Sequence, residues 1–224
     1  MKGTLYLVAT PIGNLGDITR RAVETLERVD LVACEDTRVT GRLLSHLGIK
    51  RPLVRFDDHT ERKQAPQLCE RIEAGESLAL VSDAGTPGVS DPGYALIQHA
   101  LSLHIDVIPV PGPSAVMAAL CASGLPTHAF RFEGYLPVKS GPRRRRLEEL
   151  AEDRATQIFF VPPHKLVRWL PDLREMLGDR QACLAREITK KFEEFQRGRL
   201  SELEQAYHNR EPRGELVLLV AGAA

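Results

Sequence analysis

The chain has 224 residues, 43% of them hydrophobic, and its 30 lysines and arginines are balanced by 30 aspartates and glutamates. These values are typical of a folded globular chain and exclude a disordered, collagen-like or coiled-coil protein. A net charge of zero also excludes a protein that coats nucleic acid uniformly with basic side chains.

The first half of the sequence alternates continuous apolar runs with amphipathic stretches. The apolar runs have the length of buried strands and cover residues 5–9, 31–34, 78–81 and 107–110. One helical face follows the first run, with Asp17 as its predicted N-cap, and another ends at Gly75. This alternation predicts an α/β domain with a mainly parallel sheet, whose ligands bind beyond the carboxyl ends of the strands.

Turns rich in glycine and proline follow three of these strands. Segment 10–17 by itself is more typical of an ordinary turn. Segment 82–93 is denser, and a further helix is predicted to begin near Asp91. Such a loop is costly to order and offers no packing, which favours ligand binding, although Asp83 is equally compatible with an Asx turn. Segment 111–115 repeats the arrangement after the fourth strand.

Charged side chains follow the second strand. Glu35, Asp36 and Arg38 have the chemistry for substrate binding or proton transfer. They fit a capped helix start equally well, with Asp36 or Thr37 as the cap and Arg38 paired on the surface. Segment 57–61 contains possible metal ligands, but no complementary pair occurs at metal spacing, so a polar loop is favoured.

The pattern changes after Pro113. A helix of small residues over 114–123 precedes predicted strands over 130–134, 157–161, 183–188 and 216–220, with an amphipathic helix around Leu170. Because fewer helices accompany these strands, we predict a mixed α/β second domain. The predicted domains are therefore 1–113 and 114–224.

A dense basic run lies in the second half. Five cations occur within eight residues: Lys139, Arg143, Arg144, Arg145 and Arg146. Neighbouring glycines and prolines predict a flexible loop before a helix, in which four consecutive arginines cannot all pair within the protein. Contact with RNA phosphates is therefore favoured over an ordinary solvated face. Few aromatic residues lie beside the run, so base stacking there is not expected.

The remaining features bear on location and redox state. The longest apolar run, 216–224, is too short to cross a bilayer, and the first residues lack the apolar core of a signal peptide. The four cysteines are too far apart for a metal or redox motif and are expected to be reduced and mostly buried. These features predict a cytoplasmic protein.

Taken in order, these segments resemble the ribosomal RNA small subunit methyltransferase I family, which has the tetrapyrrole methylase-like fold. The matching segments are 9–19, 34–38, 81–87, 90–93, 111–114, 132–137, 185–190 and 213–215. The resemblance implies a class III S-adenosylmethionine (SAM) methyltransferase: a homodimer of two-domain α/β chains, with a mostly parallel N-terminal sheet and a mixed C-terminal domain. It also implies 2′-O-methylation of a cytidine ribose in the decoding centre of 16S ribosomal RNA, with no metal.

The resemblance implies particular site residues as well. Cofactor contacts are expected from both domains, at Pro11, Gly85, Thr86, Pro87, Val89, Pro111, Ser114, Ala115, Phe160 and Ala185. Residue chemistry at the strand ends, and not the resemblance, gives the candidates for proton transfer at the ribose: Glu35, Asp36, Arg38, Asp83, Glu187 and Lys190. The spacing does not identify the base among them. Many members of the family continue into a helical extension, so RNA contacts of this chain are expected at Lys139 and Arg143 to Arg146.

Two other functions stay open at this point. One is methylation of a small tetrapyrrole-like substrate on the same fold, which would not depend on the basic run. The other is a non-catalytic RNA-binding factor for ribosome assembly, which would not bind SAM.

Overall fold

The computed structural model describes residues 2–208 and 210–223. It divides along the chain into two compact units, Met1–Ser114 and Ala115–Ala224. The strands are β1 Thr4–Val8, β2 Leu31–Cys34, β3 Leu53–Arg55, β4 Leu78–Val81, β5 Asp106–Val110, β6 Phe130–Tyr135, β7 Thr156–Val161, β8 Gln181–Arg186, β9 Glu194–Arg199 and β10 Leu216–Val220. The α-helices are α1 Arg20–Arg28, α2 Thr37–His46, α3 Glu61–Glu73, α4 Tyr94–Ser102, α5 Ala115–Ser123, α6 Ser140–Glu149, α7 Leu166–Leu177 and α8 Leu200–Tyr207.

The first unit is built on a parallel sheet in the order β3-β2-β4-β1-β5. Its central strands β2 and β4 are buried along their whole length, because helices cover both faces. Helices α3 and α4 pack on one face, through side chains such as Leu68 and Leu96. Helices α1 and α2 pack on the other, through Leu26 and Leu44. The prediction of a mainly parallel α/β sheet is confirmed.

The strand order opens a crevice at the carboxyl edge of this sheet. Strand β4 lies between β2 and β1, and the helix that follows β4 packs on the opposite face from the helices that follow its neighbours. The loops leaving these strands therefore diverge. Crevices of this kind are where α/β sheets bind ligands.

The second unit contains a mixed sheet in the order β6-β7-β10-β8-β9. Strands β6 and β7 are parallel, and the other pairings are antiparallel. Helices α6, α7 and α8 cover one face around Trp169 and Leu147, and α5 covers the other. A mixed sheet is confirmed, but the reason given for it is wrong. In the part of the chain that the structure describes, each unit has five strands and four α-helices.

Two predicted helix starts are displaced. The cap of α1 is Thr19, whose hydroxyl accepts from the amide of Ala22, whereas Asp17 ends a short 3-10 helix. Helix α4 begins at Tyr94, after Gly93, because residues near Asp91 stay in the preceding loop. The other short 3-10 helix covers Pro163–Lys165.

The basic run is not a loop of free cations. Arg143 to Arg146 all lie on α6. Arg143 is buried, with its Nε 2.9 Å from Asp172 Oδ2 on α7 and its Nη1 donating to the carbonyl of Val138. Its guanidinium also lies 5.8 Å from the centre of the Trp169 ring.

Two more arginines of the run are paired. Arg144 bonds Asp172 and Glu175, and Arg146 bonds Glu133 and Glu149. Among the described residues the four arginines do not all pair, as predicted, but three of them do, with carboxylates of β6 and α7 and, for Glu149, of α6 itself. The predicted flexible loop is wrong, because all four arginines lie on a helix. Lys139 and Arg145 are exposed.

Three of the four cysteines are buried, and all are free. Cys34, Cys69 and Cys183 are buried as expected, whereas Cys121 is exposed on α5. Among the described residues, no helix combines the length and apolarity needed to cross a membrane.

The buried ion pair of α6 and α7 gives a test of the second unit. Replacing Arg143 with Met removes a positive charge that is paired with the buried Asp172 carboxylate. We expect the free energy of unfolding to fall by about 3 kcal/mol, as measured by urea denaturation. The double variant Arg143→Met/Asp172→Leu should recover part of that loss, because it removes the stranded charge. The exposed Arg145→Met is the matched control and should change stability little; an equal loss there would contradict the assignment.

Candidate active site

Two backbone hydrogen bonds join the loop that follows β1 to the loop that follows β4. The amide of Thr10 donates to the carbonyl of Gly85 at 2.8 Å, and the amide of Gly85 donates back to Thr10 at 3.0 Å. Gly85 has a φ of +86°, a conformation that strains residues with a side chain. The loop after β4 is thus fixed against the loop after β1.

Side chains reinforce this junction. The Thr10 hydroxyl donates to the carbonyl of Ser82 at 3.0 Å, and the Ser82 hydroxyl donates to Gly85 at 3.2 Å. The Thr86 hydroxyl donates to the carbonyl of Pro113, after β5, at 3.4 Å. Three loop segments that the sequence singled out therefore meet at one edge.

A cavity of about 620 Å³ lies at the carboxyl ends of β2, β3 and β4. Its lining is mostly charged: Glu35, Asp36, Thr37, Arg38, Arg55, Asp57, Asp58, His59 and Asp83. It brings together the four catalytic candidates of the first unit. Arg55 was not among the predicted site residues, and residues 57–59 were predicted to be a polar loop. Because they follow a third parallel strand, they lie at the same edge of the sheet.

Asp57 is engaged in local structure. Asp57 accepts from the amides of His59 and Thr60 and pairs with Arg55 at 2.7 Å. Among residues 2–208 and 210–223, no group of three potential ligands has an arrangement that could hold a metal ion.

Asp36 is tightly held. Its carboxylate accepts from the Arg38 amide at 2.8 Å and from Arg38 Nη2 at 2.6 Å. These bonds hold the pKa of Asp36 well below its usual range. Asp36 is also the N-cap of α2, so the structural interpretation of 35–38 is confirmed for this residue. A carboxylate with so low a pKa is a poor acceptor of protons.

Glu35 has the opposite electrostatics. Partial burial raises its pKa, and the neighbouring carboxylates, Asp83 first, raise it further. The pKa of Asp83 is also raised by burial, although its carboxylate accepts from the Asp36 amide at 3.1 Å. Of the acids in this cavity, Glu35 and Asp83 are the ones whose environment favours accepting a proton.

Asp91 is a further perturbed acid behind the same loop. Burial and the charges of Glu35, Asp83 and Asp58 raise its pKa to about 6, while a hydrogen bond with Ser82 opposes the shift. The only sequence signal for this shift is the position of Asp91 in a loop rich in glycine and proline.

The catalytic candidates of the second unit pair with each other. Lys190 Nζ lies 2.9 Å from Glu187 Oε1 and 3.1 Å from Glu215 Oε2. Burial opposes the charge on Lys190, but these carboxylates outweigh it, so its pKa is raised. Lys190 is therefore a protonated side chain paired with two carboxylates, and it is not a proton acceptor.

The cofactor candidates of the first unit lie around the Thr10–Gly85 junction. Thr86, Val89 and Pro111 are exposed, whereas Pro11, Gly85 and Pro87 are buried. An edge of small residues, with a glycine whose φ of +86° strains residues that carry a side chain, suits a group such as SAM that needs close backbone approach. The residues present therefore fit that cofactor.

The cofactor candidates of the second unit share one apolar cluster. Ala115, Phe160 and Ala185 pack with the face of the sheet that α5 covers, and Ala185 is fully buried. The Phe160 ring packs against Phe132 and Tyr135, with centroids 4.9 and 5.5 Å away. Ser114, the last residue of the first unit, lies just before α5 and is partly buried.

Comparison with known proteins identifies the family. Residues 4–204 match the model of the Tetrapyrrole (Corrin/Porphyrin) Methylases. The chain belongs to this family. Within the tetrapyrrole methylases it is 49% identical to the ribosomal RNA small subunit methyltransferase I of Synechocystis, over 99% of this chain and 80% of that protein. The namesake protein of Mesorhizobium japonicum is 51% identical, over 100% of this chain and 76% of its own length.

Solved tetrapyrrole methylase-like structures share the fold. Diphthine synthase has a TM-score of 0.73 at 17% identity, covering 98% of this chain and 90% of its own. The methyltransferase CobJ has a TM-score of 0.72 at 22% identity, with coverages of 99% and 95%. A uroporphyrin-III C-methyl transferase from Thermus thermophilus, solved with S-adenyl homocysteine, has a TM-score of 0.65 at 23% identity and covers 97% of each chain.

The raised pKa of Asp91 predicts a pH dependence of stability. The folded carboxyl keeps its proton to about pH 6, whereas the unfolded one loses it near its ordinary value of about 4. The free energy of unfolding therefore falls as pH rises between these values and stays lower above them. Asp91→Asn removes the free-energy cost of the charged, buried carboxylate. The melting temperature of this variant should therefore exceed that of the wild type by more at about pH 7.5 than at about pH 4.

The exposed Asp106→Asn is the control for this measurement. It should show the same difference from wild type at both pH values. If the melting temperature of Asp91→Asn differs from that of the wild type by the same amount at both pH values, the charge on Asp91 is not what lowers the stability.

Proposed function

We propose that this chain transfers a methyl group from SAM to the ribose 2′-hydroxyl of a cytidine in the decoding centre of 16S ribosomal RNA. The observation that carries the proposal is the match at 49–51% identity, over essentially the whole chain, to proteins named ribosomal RNA small subunit methyltransferase I. The cavity of the first unit supplies groups suited to accepting the hydroxyl proton.

The chain's own residues have distinct roles in this proposal. A ribose hydroxyl is a weak nucleophile until its proton leaves, so a positioned acceptor accelerates the reaction. Glu35 is the preferred acceptor, because its raised pKa gives it more affinity for a proton than Asp36 has. Asp83 and Arg38 hold Asp36, and with it the start of α2, in place beside Glu35.

The cofactor would be held mainly by backbone. SAM supplies an activated methyl group when it is bound. The residues around the Thr10–Gly85 junction, with Pro111 and Ser114 after β5, would hold it in the first unit. The two hydrogen bonds of that junction keep these loops in one arrangement, which limits the ordering cost of binding.

The excess of carboxylates over arginines makes the cavity a poor site for RNA phosphates. Five carboxylates line the cavity, and they repel phosphate, while a neutral ribose or base is compatible with them. We assign the phosphate contacts to the exposed cations of the α6 region, Lys139 and Arg145. Arg143, Arg144 and Arg146 serve mainly to hold α6 in place.

A tetrapyrrole substrate is less compatible with this site. Tetrapyrroles that carry carboxylate side chains would meet the same repulsion as phosphate. The solved tetrapyrrole methyltransferases also share only 22–23% identity with this chain, which shows a common fold and no more. A homodimer acting in the cytoplasm on the small ribosomal subunit or its RNA completes the proposal.

The first test maps 2′-O-methylation on 16S ribosomal RNA from cells with and without this protein. We expect one cytidine ribose of the decoding centre to lose its methyl group. The wild-type gene should restore it, and Glu35→Gln should lower the single-turnover rate by about 100-fold, because a general base contributes about 100- to 10,000-fold.

The comparison variant for Glu35→Gln is Asp36→Asn, next to it in the chain. It should slow the reaction less, and calorimetry should show SAM binding unchanged in both variants. Unchanged methylation in cells without the protein would refute the function. A near wild-type rate for Glu35→Gln would refute only the assignment of the base, and absence of SAM binding would favour the RNA-binding assembly factor.

A second test concerns the exposed cations of the α6 region. Lys139→Ser/Arg145→Ser should weaken RNA binding by about 10-fold, because two phosphate contacts are lost. Binding is measured by fluorescence anisotropy with a labelled 16S RNA fragment, and urea unfolding verifies that the variant is as stable as the wild type. Lys165→Ser/Arg168→Ser, two cations near the start of α7, serve as the control. Equal weakening by both pairs would contradict a localised contact.

A further inference from the structure

An exposed aromatic ring projects from the connection between β8 and β9. Phe192 is 62% exposed, in a seven-residue segment, 187–193, that links the two antiparallel strands. Large apolar side chains on a surface are unremarkable singly. What distinguishes Phe192 is how firmly the segment around it is fixed.

The backbone of this segment is tied at several points. Two successive turns are closed by the amide of Lys190 donating to Glu187 at 3.0 Å and the amide of Glu193 donating to Lys190 at 3.1 Å. Glu187 and Thr189 have φ values of +51° and +65°, which cost energy in residues with a side chain. Strained conformations persist where the surrounding structure determines them, and they concentrate at functional sites.

An ion cluster anchors the segment to the start of β10. The carboxylate of Glu187 accepts from the amide of Glu215 at 2.9 Å and pairs with Lys190. A Cβ on Gly214 would lie 2.5 Å from Glu187 side-chain atoms, so only glycine allows this approach. The segment that carries Phe192 is therefore held at both ends and at its centre.

A cation accompanies the ring. Lys191 Nζ lies 5.6 Å from the centre of the Phe192 ring, within the range of a cation–π contact. Both residues are exposed. An exposed aromatic ring on a fixed backbone, next to a cation, is the combination that binds an unpaired base together with its phosphate.

The segment that carries Phe192 leaves its sheet at the same edge as the segment that leads to Lys139. Strands β6, β7 and β8 run in the same direction, since β10 is antiparallel to both β7 and β8. The connection after β8 thus leaves the same edge of the sheet as the segment after β6, which leads to Lys139. Stacking and phosphate contacts would lie along one edge of the second unit.

We propose that Phe192 is a stacking platform for an unpaired base of the RNA substrate, with Lys191 contacting the adjoining phosphate. This inference rests on the proposed function for the identity of the nucleic acid. It adds a base-contacting residue to a chain in which the sequence suggested contact with phosphates alone. Glu187, Lys190 and Glu215 act as positioning residues for the platform.

The test compares four side chains at position 192 in the full-length protein. The probes are a short single-stranded oligoribonucleotide from the decoding region and the same backbone with abasic sites. Phe192→Ala and Phe192→Leu should both weaken binding of the normal probe by about 10-fold, because stacking depends on a π face. Phe192→Tyr should keep wild-type affinity. None of these variants should alter binding of the abasic probe.

A fluorescence readout is available in the same series. The one native tryptophan, Trp169, is buried, so Phe192→Trp introduces an exposed reporter. Stacking of a base should quench its emission when the normal oligonucleotide is added, and the abasic probe should leave the emission unchanged. Leu101→Ala, which removes an exposed apolar side chain from α4, is the control and should bind RNA like the wild type.

The outcomes separate this inference from the proposed function. The stacking platform is refuted if either Phe192→Ala or Phe192→Leu binds the normal probe with wild-type affinity. Methylation of 16S RNA can stand in that case. A change of oligomeric state in Phe192→Ala, seen by size-exclusion chromatography with light scattering, would assign the ring to a protein interface and also refute it. Loss of methylation in cells without the protein, combined with wild-type RNA binding by Phe192→Ala, would uphold the function and reject the inference.

Discussion

The two hydrogen bonds between Thr10 and Gly85 hold together loops that the sheet itself drives apart. Strand β4 sends its chain to one face, and its neighbours β2 and β1 send theirs to the other. Without a bond across the gap, the loop after β4 would have no fixed position. The Thr10–Gly85 pair supplies that bond, and its geometry requires the positive φ of Gly85. The placement of Asp83 under the Asp36 amide, and of Thr86 against Pro113, depends on it.

The acids gathered at this edge differ because their partners differ. Asp36 is satisfied by Arg38 and by backbone amides, so it stays charged and serves as a cap. Glu35, its neighbour in sequence, has no arginine partner among the described residues, and burial together with the surrounding like charges raises its pKa. Adjacent carboxylates thus acquire different chemistry from their surroundings, which is how one site can contain both structural and reactive acids.

Much of the fold follows from the sequence where burial is continuous. Strands β2, β4 and β10 were predicted with the bounds they have, because runs such as Leu216–Val220 are apolar throughout and buried on both faces. Strands β3 and β9 were not predicted, because they lie at sheet edges and are half exposed, so Glu194–Arg199 reads as a polar segment. Their pairing is set by neighbours and not by their own pattern.

The candidate site was predictable in part. The carboxyl ends of parallel strands fix where 35–38 and 82–93 lie, and the cavity contains residues from both. The electrostatic differences between Glu35, Asp36 and Asp91 depend on contacts that no local spacing encodes. The same limit applies to α6, where the partner of Arg143 is Asp172, on another helix.

The pairing of the basic run changes what its formal charge implies. Each phosphate contact with a single strand releases condensed counterions and adds about −0.7 to the slope of log binding constant against log salt concentration. Five free cations would give a slope near −3.5 from this region, whereas Lys139 and Arg145 alone give about −1.4. Neutralisation of Arg143, Arg144 and Arg146 within the protein thus makes RNA binding by this surface less sensitive to ionic strength than its sequence suggests.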